Sequence, residues 1–157
     1  AYSTAVGLYL KAGSRYEAED ENGITHLLEH LHFRKLDNWS AKELYREMDK
    51  IGTTIKASTH KELLRFYMKF RPCYFEKGIE FIKKIITMEN WTAEDVEAEK
   101  KVVLAELHEK YSQLDIYSVA EENLLNNHPL ANPIIGTELE QAYEAWNTHS
   151  EELSQLL

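Results

Sequence analysis

Cysteine is almost absent: Cys73 stands alone among 157 residues. No internal disulfide is available, so the chain must rely on its core, and one thiol leaves the redox compartment open. Proline (three residues) and glycine (six) are scarce too, and no linker, repeat or low-complexity tract divides the chain. At this length it reads as one domain or part of one, large enough for a substantial core. Nothing approaches the roughly 20 consecutive apolar residues that cross a bilayer, and neither a secretory leader nor a basic transit segment is visible. The expectation is a cytoplasmic chain without membrane contact, an organelle matrix being left open. The first residue is Ala1 rather than methionine, so an upstream piece is expected to have been cleaved or left out. Positive charge is also in deficit: 18 Lys and Arg against 27 Asp and Glu give a net −9. Nucleic acid, whose phosphates need a basic patch, is disfavoured as a partner, whereas a cationic peptide would suit such a surface.

Against these absences stands one pentapeptide, His26-Leu27-Leu28-Glu29-His30. On a helix, residues four apart share a face, so His26 and His30 offer two imidazoles to one metal ion. Glu29 lies on that side, placed to take a proton from water at the ion. The order is that of the HExxH zinc peptidases reversed, and it makes peptide-bond hydrolysis the leading hypothesis. A plain surface helix would produce the same letters. Ile24, Leu27, Leu28 and Leu31 supply a buried stripe, with His26, Glu29, His30 and Phe33 beside it.

A tetrahedral zinc site wants a third protein ligand. Residues 93–114 read as a long helix, opened by Thr92 and Asp95 in capping-box spacing and carrying Val96, Val103, Leu104, Leu107 and Leu114 at helical period. Glu99 and Glu106, seven apart, share a face with Val96 and Val103. Two carboxylates on a half-buried face are unfavourable unless paired or bound to a cation. A solvated acidic face is the plain alternative, since Glu94, Asp95, Glu97 and Glu109 are close by.

The remaining pattern is α+β. Residues 5–11 alternate, with Val6, Leu8 and Leu10 on one side, and read as a strand. A second helix starts at Ser40, with Glu43 as its box partner, and ends near Ile51-Gly52. Residues 53–59 and 63–70 form a predicted hairpin across His60-Lys61-Glu62. In its second strand Leu64, Phe66, Met68 and Phe70 face one way. A helix over 74–88 is expected to bury Phe75, Ile79, Ile82 and Ile86. Further helices are expected over 117–126 and, beyond a loop through Pro133, over 138–156. Interleaved strands and helices predict an antiparallel-rich sheet with helices packed on one face.

The string from Asn22-Gly23-Ile24-Thr25 through His32-Phe33 resembles the active-site helix of the pitrilysin family, which includes insulin-degrading enzyme and the mitochondrial processing peptidase. In that family a glutamate about seventy-six residues beyond the second histidine completes the metal site, and that position is Glu106 here. A supporting carboxylate seven residues earlier corresponds to Glu99. Ala12-Gly13-Ser14, the segment from Ile55 to Glu62, and His128-Pro129-Leu130 to Ile135-Gly136-Thr137 fall in the family's order.

The resemblance implies one zinc ion held by His26, His30 and Glu106, with Glu29 as general base and Glu99 orienting a histidine or tuning the charge of the site. It implies that substrate lies extended beside residues 54–59, so that Lys56, Ala57, Ser58 and Thr59 would contact a peptide through β-augmentation. Lys56 departs from the family's usual asparagine, which would favour an acidic peptide or merely point outward. His32 stands where a small or apolar residue is common, and reads as an accidental polar residue or as a contact behind the ligands. His60, His108, His128 and His149 lack ligand spacing and read as surface or loop residues. Family members also join two related halves, the second supplying an arginine and a tyrosine that have no counterpart here. The chain is thus expected to be an N-terminal catalytic-type half-domain lacking its last strands, and to need a second pitrilysin-like half or partner subunit, hetero- or homodimeric, for full activity. Two alternatives stay open: a non-catalytic, peptide-binding scaffold subunit, and a metal hydrolase acting on other bonds.

Overall fold

The computed structural model describes residues 2–36, 39–87, 91–111, 116–125 and 128–136. In chain order its elements are β1 (Thr4–Leu10), α1 (Ile24–Arg34), β2 (Lys35–Leu36), β3 (Trp39–Ser40), α2 (Ala41–Lys50), β4 (Ile55–Thr59), β5 (Leu64–Phe70), α3 (Phe75–Ile86), α4 (Ala93–Tyr111) and α5 (Ile116–Leu124). Leu114, expected to extend α4, and the helix expected over 138–156 lie outside the described residues.

Three strands make one antiparallel sheet in the order β1-β5-β4. The register sets Val6, Leu8 and Leu10 opposite Met68, Phe66 and Leu64, and Ile55, Ala57 and Thr59 opposite the same three. Because side chains alternate along a strand, this alignment gathers Val6, Leu8, Leu10, Ile55, Ala57, Leu64, Phe66 and Met68 on one face. Leu44 and Met48 of α2 and Phe81, Ile82 and Ile85 of α3 cover that face and complete the main core. The fold is the expected α+β one, its helices on one side of the sheet. Tyr9, Lys56, Arg65 and Lys69 lie on the other side, exposed. The paired residues of the predicted hairpin begin at Ile55 rather than Thr53, whose hydroxyl donates instead to Lys69 O at 2.8 Å.

A second core holds the site. Leu27 and Leu31 of α1 pack on Val96, Val103 and Leu107 of α4, with Trp91, Leu104 and Ile135 at its margins. Both predicted capping boxes form: Ser40 with Glu43 opens α2, and Thr92 with Asp95 opens α4. Each satisfies two N–H groups that a helix start would otherwise leave without partners.

Two expectations are corrected. In α3 the buried stripe is Gly78, Phe81, Ile82 and Ile85, while Phe75 and Ile86 are about half exposed, at 51% and 48%. The cause is Gly78, whose missing side chain leaves room for the Phe70 ring. A Cβ there would stand 2.1 Å from Phe70 Cζ, so α3 turns this point toward the sheet. Gly78→Ala is therefore expected to lower stability by about 1–3 kcal/mol despite the better helix propensity of alanine, read from the midpoint of urea unfolding. An unchanged or raised midpoint would show that the ring moves aside freely.

His32 is the other correction. It is a polar residue packed in the core rather than a contact behind the ligands: it is buried, 5.1 Å from both the Phe66 and Trp91 ring centroids. Its Nδ1–H donates to Leu28 O at 2.7 Å, and burial pushes its pKa down, against the hydrogen bonds to the backbone of Leu28 and Ile85. The imidazole thus serves here as an aromatic core side chain whose polar edge is met by backbone carbonyls.

Candidate metal centre

The site begins with the way α1 starts. Its N-cap is Gly23, which has no side chain to offer and sits at φ 99°. The cap comes from Glu17 instead. Its Oε2 accepts from Gly23 N at 2.8 Å and its Oε1 from Thr25 N at 2.9 Å, so a carboxylate meets the positive end of the helix. Burial pushes the Glu17 carboxyl up, while hydrogen bonds from Thr25, Gly23 and Asn22 oppose that rise. The loop ending at Gly136 crosses the same point. A Cβ on Gly23 would lie 2.9 Å from Ile135 O and 3.0 Å from Gly136 Cα, in a backbone conformation that disfavours any side chain. Asn22 Nδ2 ties the turn to Pro133 O at 3.1 Å, and Asn132 Nδ2 reaches Ser14 O at 3.0 Å. The family landmarks before the helix and near the chain's end thus hold one helix terminus between them.

One turn further, His26 and His30 turn to α4 with ring centroids 4.8 Å apart. Glu106 meets both: its Oε2 lies 3.9 Å from His26 Nε2 and 3.6 Å from His30 Nε2. One ligand atom from each of the three falls within 4.8 Å of the others. The ligand edges of a tetrahedral zinc site are about 3.3 Å, as follows from bonds near 2.0–2.1 Å. The two Glu106 distances exceed that edge by about 0.3–0.6 Å, and the widest spacing within the trio reaches 4.8 Å, so the three donors stand further apart than a bound zinc would draw them. Two neutral imidazoles and one carboxylate fit zinc by chemistry as well. The histidine side chains are 14% and 18% exposed and Glu106 is 45% exposed, so the open side of the trio is Glu106's.

Glu99, one α4 turn-pair earlier, puts Oε2 at 3.5 Å from His30 Nδ1, the ring nitrogen turned away from Glu106. Its other oxygen accepts from Arg34 Nη1 at 3.2 Å, and Arg34 Nε donates to Asp95 Oδ1 at 3.0 Å. These carboxylates push the Arg34 pKa up, Asp95 foremost. The Asp95 carboxyl lies below its ordinary value: burial raises it, but hydrogen bonds from Thr92 and Arg34 outweigh that. Glu29 sits on the histidine side of α1, and Thr59 Oγ1 donates to its Oε2 in a short hydrogen bond. Beside Glu29 and His30 a cavity of about 370 Å³ is lined by Phe33, Arg34, Tyr45 and Glu99.

The predicted site residues therefore separate into two groups. His26, Glu29, His30, Glu99 and Glu106 come together across α1 and α4, and Thr59 joins them through Glu29. Lys56 and Ser58 sit on the outer face of β4, and Ala57 turns into the core. Of the other histidines, His60 meets Ser58 Oγ at 3.1 Å, His108 is exposed, and His128 Nδ1 accepts from Leu130 N. His149 lies outside the described residues. Arg34, Asp95 and Glu17 were not anticipated as parts of the site. Their one trace in the sequence is spacing: Arg34 follows His30 by four residues, and Asp95 precedes Glu99 by four.

Residues 1–138 match the insulinase family, peptidase family M16. The chain belongs to that family. The M16 chain is 30% identical over 138 residues to an uncharacterized zinc protease of Bacillus subtilis, covering 87% of this chain and 34% of the relative. It is 30% identical over 133 residues to the human mitochondrial-processing peptidase subunit beta, covering 83% and 27%. The solved structure of a protease from Helicobacter pylori has the same fold, with a TM-score of 0.81 at 24% identity, covering 92% of this chain and 38% of that one. The M16 chain spans about a third of the length of the curated relatives it matches. Among the described residues no helix is long and apolar enough to cross a membrane.

Proposed function

We propose that this M16 chain is the catalytic-type part of a zinc metalloendopeptidase, with one zinc held by His26, His30 and Glu106. The observation that carries the reading is the convergence of those three side chains from two helices, with Glu29 on the same face of α1. Bound there, the ion would lower the pKa of water toward neutrality and polarise a peptide carbonyl. Glu29 would take the proton of the attacking water and later give it to the departing amine. Glu99 would hold the Nδ1 proton of His30 and so fix the tautomer whose Nε2 lone pair turns to the metal.

An extended peptide would add to β4, which is an edge strand of the sheet among the described residues and reaches Glu29 through the Thr59 hydroxyl. Recognition through backbone hydrogen bonds favours short or unfolded peptides over folded proteins. The relatives include zinc proteases and a peptidase subunit about three times as long as this chain, so full activity is assigned to the chain together with a second M16 half or a partner subunit. A cytoplasmic or organelle-matrix setting suits that activity.

The test is metal content together with cleavage. Purified chain should carry one zinc, and chelation should lower Tm. At a hundredfold excess of zinc over Kd the stabilisation is about 2.7 kcal/mol, or roughly 5–10 °C for a domain of this size. Cleavage of an unstructured peptide, weak for the chain by itself and stronger with a candidate partner, should stop on chelation and return with zinc. Protein that takes up no zinc would overturn the proposal in favour of a scaffold subunit.

A further inference from the structure

We infer that Arg34 is a positioning residue of the metal centre: it holds one oxygen of Glu99 so that the other stays on His30 Nδ1. The inference rests on the zinc reading above and concerns a residue outside the three ligands and the base. His30 and Arg34 lie one turn apart on α1, and Asp95 and Glu99 lie one turn apart on α4, so the two pairs face each other where the helices cross. Arg34 Nε–Asp95 Oδ1 is 3.0 Å, Arg34 Nη1–Glu99 Oε1 is 3.2 Å, and Glu99 Oε2–His30 Nδ1 is 3.5 Å.

Each link divides a carboxylate between two partners. Asp95 gives Oδ1 to Arg34, while its Oδ2 accepts from Thr92 N at 3.1 Å and Thr92 Oγ1 at 2.8 Å. Asp95 is therefore anchored to the start of α4, and the guanidinium is anchored to Asp95. Glu99, at 13% exposure, is the most enclosed carboxylate of the cluster and the one least able to find water as a substitute partner. A side chain with several free torsions keeps one oxygen on an imidazole only if the other oxygen is also held. The planar fork of arginine presents two carboxylates with donors in a fixed arrangement, whereas the ammonium of lysine is a point charge without that geometry. The macrodipoles agree: Arg34 closes α1 at its negative end, and Asp95 lies in the first turn of α4 at its positive end. Losing Arg34 would free Glu99 to rotate from His30, and with it the ring orientation and tautomer that present Nε2 to the metal.

The experiment measures zinc affinity by competition with a chromophoric chelator, on the whole chain, for wild type, Arg34→Met, Arg34→Lys, Glu99→Ala and the Arg34→Met/Glu99→Ala pair. Arg34→Met should weaken zinc binding by about 10–100-fold, the range for residues that hold a metal ligand through a hydrogen bond. In the Glu99→Ala background the same substitution should change affinity by less than about twofold, because the two act in series. Arg34→Lys should fall between wild type and Arg34→Met, and it supplies the readout should the methionine variant fail to fold. The visible spectrum of the Co2+-loaded protein should change with Arg34→Met in the wild-type background only. Unaltered zinc affinity in Arg34→Met would overturn the inference. So would an equal loss in the presence and absence of Glu99, which would assign Arg34 to helix packing alone. Wild-type chain without zinc affinity would sink the metal reading itself, a result distinct from both.

Discussion

Glu29→Gln is expected to leave zinc content and fold unchanged while lowering peptide cleavage by the assembled enzyme about 10²–10⁴-fold, which corresponds to about 3–5 kcal/mol of barrier. The argument runs from shape to charge. Glutamine is the same size as glutamate and keeps a carbonyl oxygen that can accept the Thr59 hydroxyl, so the α1–β4 contact survives. Glu29 is not among the three groups whose ligand atoms converge, so the metal trio keeps its composition. What disappears is the capacity to accept a proton from attacking water and return it to the amine. The loss should therefore lie in kcat, with the KM of an extended peptide little changed, because an isosteric side chain keeps the shape of the cavity beside Phe33 and the contact to β4. Zinc content by metal analysis and single-turnover cleavage together check the result. Cleavage at the wild-type rate with zinc in place would remove Glu29 from the chemistry.

The parts of this molecule that were legible in the sequence are those in which local pattern and tertiary packing agree. The alternation in β5 is read straight from Leu64, Phe66, Met68 and Phe70, and all four are buried. The buried stripe of α1 follows from 3.6-residue periodicity, and both capping boxes from spacing alone. The failures share a cause. Periodicity misplaces the stripe of α3 because Gly78 counts as no side chain, yet it decides which side of the helix can approach Phe70. The pairing of β2 with β3 involves two residues on each strand, too few to carry a period. His32 reads as polar by residue type, but Leu28 O satisfies its donor and its ring can then be buried like a phenyl group.

The site divides in the same way. His26, Glu29 and His30 are a local motif on one helix. Glu106 follows in part from a physical argument, two carboxylates on a face shared with Val96 and Val103, and in full only from the resemblance to the pitrilysin family. The Glu17 cap, the Arg34 fork and the bond from the Thr59 hydroxyl to Glu29 have no such local mark, since each joins segments whose approach is set by the two cores. Sequence spacing identifies groups that lie on one element. It is silent about the groups that hold those elements at a given angle.

The other large effect belongs to Glu106. Glu106→Ala should abolish measurable zinc binding at concentrations that saturate wild type, a loss greater than the about 10–100-fold that follows when a ligand merely loses its hydrogen-bonding partner. The trio would lose its sole anionic donor and keep two neutral imidazoles on one helix, a pair that binds zinc weakly and leaves two positions to water. The protein itself should tolerate the change. Glu106 is 45% exposed, its neighbours Val103 and Leu107 carry the packing of α4 on α1, and alanine is the better helix former. Without zinc the variant and wild type should therefore unfold within about 0.5 kcal/mol of one another. With zinc only the wild type should gain stability. Removing one of two carboxylates from the neighbourhood of His26 and His30 also separates this role from that of Glu99, whose loss should weaken zinc rather than eliminate it. A Glu106→Ala chain that still showed a zinc-dependent rise in Tm equal to that of wild type would mean that another group completes the coordination, and the trio assigned here would have to be redrawn.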